Sequence, residues 1–83
     1  LTYLITWDEH AIDQAARFLK DDPDGLRLLM DAVDLLAENP LPEGAAPYGS
    51  PMRRRIHVGR YRVLYEVMEA RVTIIVIHVG RVG

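Results

Sequence analysis

"PMRRRIHVGRYRVLYEV", Pro51–Val67, is the stretch that decides the fold of this chain. Arg53, Arg54, Arg55, Arg60 and Arg62 put five guanidinium groups into ten residues, on a background that alternates as strands do. Successive side chains of a strand point to opposite faces. Arg53, Arg55 and His57 therefore share one face, and Arg54, Ile56 and Val58 the other. Gly59 marks a tight connection, after which Tyr61, Val63, Tyr65 and Val67 alternate with Arg62, Leu64 and Glu66. The Tyr61 set belongs to a core, which leaves Arg62 on the far side. A short connection brings Arg62 beside Arg53, Arg55 and His57 where the register permits. Guanidinium forks bind phosphate oxygens in pairs and stay charged at any ordinary pH, so such a face suits phosphate. The alternative is a solvated face, or one paired with acids elsewhere, since exposed ion pairs are common and contribute little.

On the C-terminal side, Met68–Ala70 turns the chain and Val72–Val79 forms a last strand, apolar on both faces. A strand of that kind sits inside a sheet covered on one side by helices. On the N-terminal side, residues 40–51 hold four of the five prolines and two glycines, and read as a loop. Before it, Leu26, Leu29, Met30, Val33, Leu36 and Ala37 recur at helical spacing, with Asp31, Asp34 and Glu38 on the wet side. Asp22 and Pro23 suit the cap and first turn of that helix. An earlier helix shows Ala11, Ala15, Phe18 and Leu19 as its stripe and Asp8 as its cap. Thr2–Trp7, rich in β-branched and aromatic residues, is a first strand, and Trp7 a core or interface residue.

With 83 residues, 49% of them apolar, the chain has room for one small domain. The absence of cysteine excludes a disulfide framework and a thiolate metal site. The N-terminal residues lack the basic lead and apolar run of a signal peptide. Val72–Val79, broken by Thr73 and His78, is far short of the roughly 20 residues that span a bilayer. The expectation is a soluble cytoplasmic domain. Charge is segregated along it. Residues 1–50 carry ten acids against three bases, residues 51–83 seven arginines against two glutamates, and the total is −2. An acidic balance argues against casual binding of nucleic acid, but a local basic stripe still suits phosphate.

Three features carry a family resemblance. They are the basic strand Arg53–Val58, the run Gly59-Arg60-Tyr61-Arg62-Val63-Leu64-Tyr65, and the apolar strand Ile74 to Arg81 that ends in glycine and a base. Together they resemble the RelE/ParE superfamily of toxins from bacterial type II toxin–antitoxin systems. The resemblance spans residues 1–83 as one domain. It implies an α+β fold of order β-α-α-β-β-β, two N-terminal helices packed on a mainly antiparallel four-stranded sheet.

For activity, a RelE-like member implies an mRNA endoribonuclease acting at the ribosome. It would have no metal or cofactor and would use the RNA 2′-hydroxyl as nucleophile. By position, Arg53 and Arg55 match the family's basic pair, Arg62 the arginine of the motif, and Arg81 the base after the last glycine. Arg55 and Arg62 would stabilise the transition-state charge. Fixed guanidinium groups shuttle protons poorly, so His57 and His78 would carry them. The implied partners are a cognate antitoxin, mRNA on the ribosome and operator DNA reached through the antitoxin, with no membrane. RelE-like members also use a tyrosine beyond the last strand, whereas the last tyrosine here is Tyr65. Two other activities stay open: a ParE-like inhibitor of DNA gyrase, and a weakly toxic or non-toxic antitoxin-binding and co-repressor module.

Overall fold

The computed structural model describes residues 1–82. It orders β1 (Leu4–Trp7), α1 (Glu9–Asp21), α2 (Pro23–Leu35), β2 (Ala46–Pro47), β3 (Arg53–Val58), β4 (Tyr61–Met68) and β5 (Thr73–Arg81). The strands form one sheet in the order β1-β5-β4-β3-β2. β1 runs parallel to β5, and every other pairing is antiparallel. Four strands match the expectation. The fifth, β2, lies inside the proline-rich loop, where only two residues pair with β3. Pro47 has no amide hydrogen to give, which confines it to such an edge.

Local chemistry sets the helix boundaries. The Asp8 carboxylate accepts from the His10 amide at 3.3 Å and opens α1. Asp22 accepts from the Gly25 amide at 3.1 Å and opens α2, with Pro23 in the first turn. Gly59 takes φ 59°, the left-handed conformation its two-residue turn requires, and Val58 pairs with Tyr61 across it.

The core lies between the helices and one sheet face. Leu26, Leu29 and Val33 of α2, with Leu36 at its C-cap, meet Val63, Tyr65, Ile74 and Val76, all 2% exposed or less. Burying a leucine such as Leu29 in this way contributes about 1.5–3 kcal/mol. Leu19 and Met30, read from periodicity as core positions, are 52% and 39% exposed. They overlook a groove of about 620 Å³ between the helices and β1, with Ile12, Trp7 and Ala16 also in its walls. The helices thus carry more apolar surface than one sheet face covers.

A single irregularity re-phases the last strand. Leu64 pairs with His78 but Tyr65 pairs with Val76, so Ile77 is an extra residue in β5. Without it, Ile74, Val76, His78 and Gly80 would share the core face. The bulge instead puts Val79 in the core and turns His78 and Gly80 to the outer face, beside Leu64 and Arg62.

Candidate functional site

Hairpin register builds a cationic outer face. Opposite one another stand Arg53 and Glu66, Arg55 and Leu64, and His57 and Arg62. Arg62 in turn pairs with Gly80, and Leu64 with His78. A cleft of about 290 Å³ opens over this face, lined by Tyr48, Arg55, Arg62, Leu64, His78, Gly80, Arg81 and Val82. None of these is acidic. The Arg55 and Arg62 side chains lie half-buried, and neither forms an ion pair among the described residues. The Nε atom of each is buried without a hydrogen-bond partner. Two guanidinium groups without counter-charge in a cleft of this size have the chemistry to hold an anion.

The remaining candidates are placed differently. Arg53 is engaged by Glu66, with Nη2 at 3.1 Å and Nε at 3.3 Å from Oε1. His57 is exposed at the hairpin end of the same face and does not line the cleft. Arg81 borders the cleft, but its guanidinium stacks on the Phe18 ring at 4.7 Å and meets Asp21 at 3.4 Å. Contact with the Tyr61 hydroxyl, more than Asp21, holds the Arg81 pKa above its ordinary value. His78 stands in the cleft wall, its Nδ1 2.9 Å from the Gln14 amide nitrogen.

Neighbouring arginines have structural work. Arg54 donates to the carbonyls of Pro51 at 2.7 Å and Ala45 at 3.2 Å, which closes the loop onto β3. Arg60 lies 3.7 Å from Asp22, which also accepts from the Tyr61 hydroxyl at 2.8 Å. Those contacts, led by the Tyr61 hydrogen bond, hold Asp22 below the usual carboxylate range.

Sequence reasoning missed Tyr48. It follows β2 directly, half exposed, with the Arg55 guanidinium 5.4 Å from its ring centroid. An aromatic face beside two free cations can stack a base while they hold its phosphate. The signal was present as the lone aromatic residue of the proline-rich loop, but nothing local tied it to Arg55. Among the described residues, no group of three or more His, Cys, Asp or Glu side chains converges as metal ligands.

A helical hairpin covers one face of the small sheet, and the cationic cleft opens on the other. Residues 5–82 match the sequence profile of the ParE toxin of the type II toxin–antitoxin system parDE, and the chain belongs to this family. Solved structures share the fold. An arginine-to-alanine double mutant of the Escherichia coli toxin RelE, in the free state, superposes with TM-score 0.82 at 24% identity, covering 98% of this chain and 84% of that one. The toxin–antitoxin complex RelBE2 from Mycobacterium tuberculosis gives 0.81 at 19%, covering 99% and 100%. A YoeB/ParE toxin from Agrobacterium tumefaciens gives 0.80 at 14%, covering 96% and 99%. No curated protein sequence matches the chain.

Proposed function

We propose that this chain cleaves mRNA on the ribosome in the RelE manner, and that a cognate antitoxin silences it. The carrying observation is the acid-free cleft with Arg55 and Arg62 unpaired inside it. In the reaction, the RNA 2′-oxygen bonds to the adjacent phosphorus while the bond to the 5′-oxygen breaks. A proton leaves the 2′-hydroxyl and another reaches the departing 5′-oxygen. Charge grows on the non-bridging oxygens, where two fixed guanidinium groups offset it without reorganising. Tyr48 supports the base next to the scissile phosphate. His57, directly across from Arg62, and His78, in the cleft wall, are the imidazoles of this face.

The antitoxin belongs on the other side. The apolar groove holding Ile12, Leu19 and Met30 fits one face of an amphipathic helix. Through that partner the toxin would reach operator DNA as a co-repressor.

One observation favours a second reading, gyrase inhibition: the family profile is that of ParE. The cleft would then bind without cutting.

Inducing the chain alone in a bacterium and mapping mRNA 5′ ends tests the proposal. Growth should arrest, with new 5′ ends inside coding sequences. Arg55→Ala and Arg62→Ala should each reduce cleavage by about 10²-fold or more. Arrest without new ends, together with loss of DNA supercoiling by purified gyrase, would transfer the assignment to gyrase. Undiminished cleavage in both variants would remove the roles given to these arginines.

A further inference from the structure

Gln14, on α1, reaches the stretch of β5 that extends past its pairing with β1. Its Oε1 accepts from the Val79 amide at 2.8 Å, and its Nε2 lies 2.9 Å from His78 Nδ1. A backbone amide only donates, so the Gln14 oxygen must face Val79 and the Gln14 NH₂ group must face His78. An NH₂ group also only donates. His78 Nδ1 is therefore an acceptor, and the proton of the neutral ring sits on Nε2.

The position of Nε2 gives this tautomer its meaning. A β-carbon at Gly80 would stand 3.3 Å from Nε2, so the atom lies over Gly80, the residue paired with Arg62. His78 and Gly80 both line the cleft. The ring thus presents an N–H, not a lone pair, beside the two free guanidinium groups. Rotating the Gln14 amide would set NH₂ against the Val79 N–H, and moving the ring proton to Nδ1 would set it against the Gln14 NH₂. Each alternative places two donors face to face, the first at the half-buried Val79 amide and the second at the exposed His78 ring.

We infer that His78 serves the cleft as a neutral hydrogen-bond donor to a bound phosphate, and that Gln14 is the positioning residue imposing this role. A lone pair is what a general base needs, and His78 turns none towards the cleft. The donor role rests on the phosphate reading of the cleft, whereas the tautomer can be read without any ligand.

Two-bond ¹H–¹⁵N correlation spectra of the protein labelled in histidine report the tautomer directly. In the wild type, neutral His78 should carry its proton on Nε2. In Gln14→Glu, one carboxylate oxygen still accepts from Val79 and the other accepts from the ring, so the proton should move to Nδ1 or the ring should become cationic. An Nδ1–H ring in the wild type, or an unchanged ring in Gln14→Glu, would overturn the positioning role. Titration with inorganic phosphate then probes the donor. It should shift the Nε–H signals of Arg55 and Arg62 and the His78 Nε2 signal together. His78→Leu should weaken phosphate binding by about tenfold. Shifts at both arginines with none at His78 would overturn the donor role and leave the phosphate site standing. Shifts at none of the three would remove the phosphate reading itself, with the tautomer result unaffected.

Discussion

Replacing Tyr65 with phenylalanine removes one hydroxyl from a fully buried ring, and its effect should change sign with pH. The hydroxyl donates to the Pro40 carbonyl at 2.8 Å, at the start of the loop that delivers Tyr48 to the cleft. Pro40 is partly exposed and its carbonyl regains water, so the net loss at neutral pH is about 1 kcal/mol. Burial pushes the Tyr65 phenol from 10.0 up to about 12, with the Arg54 charge offsetting only part of this. The fold therefore holds the phenol neutral while the unfolded chain begins to ionise it. Its stabilising contribution is whole below the unfolded value of 10.0 and is lost as pH rises through about 12. A gap of about two pKa units corresponds to a loss of about 3 kcal/mol at the alkaline end. Tyr65→Phe should be the weaker protein at neutral pH and, past a crossing near about pH 11, the stronger. Urea titrations of both proteins from neutral pH upward measure this, because the two differ in this one hydroxyl alone. Stability curves that stay parallel through the alkaline range would refute the burial argument.

Val72 adopts φ 48°, a left-handed conformation that costs a β-branched residue about 1–2 kcal/mol. Val72→Gly should therefore raise the denaturation midpoint, as chemical denaturation would show, and an unchanged or lower midpoint would refute the strain argument. Asp22, held low chiefly by the Tyr61 hydroxyl and then by the Gly25 amide, stabilises the fold above its unfolded value of 3.8, and the effect disappears as pH falls through the folded value. Asp22→Asn should lower the melting temperature at neutral pH and flatten its decline in acid, as thermal melts across that range would record. Glu66→Gln should free Arg53 at a cost of about 1 kcal/mol or less, since the pair is only partly buried. Affinity for single-stranded RNA should rise, and its salt dependence should steepen by up to about 0.7 in log–log slope.

The hairpin and the helix caps were legible because each rests on neighbours in sequence. Asp8, Asp22 and Pro23 act within one turn of their own positions, and alternation assigned every face of β3 and β4 correctly. The Arg53–Glu66 pair was legible too, though unread. A two-residue turn at Gly59 and Arg60 places position 53 opposite 66 by counting alone. Face assignment in β5 was not legible, because the bulge at Ile77 in its pairing with β4 leaves no mark in local composition. Tyr48 and Gln14 were hidden for a related reason. Tyr48 reaches the cleft, and Gln14 the His78 ring in its wall, from elements whose own patterns are satisfied without them. Leu19 and Met30 illustrate the opposite error, since periodicity finds an apolar stripe without saying whether this chain or another one covers it.

Segregated charge acquires a physical direction once the chain is folded. The acids of the first fifty residues ride mainly on the helical layer, and Arg55 and Arg62 open on the opposite side of the sheet. A molecule with a net charge of only −2 is then a sizeable dipole. Near a polyanion it experiences a torque more than a pull, which turns the cleft inward and the helices outward before any contact forms. Orientation of this kind acts on the rate of encounter rather than on final affinity, and it decays with added salt over the Debye length. The helical layer is left pointing into solvent, so a second protein could seat on it without competing for the surface that the polyanion holds.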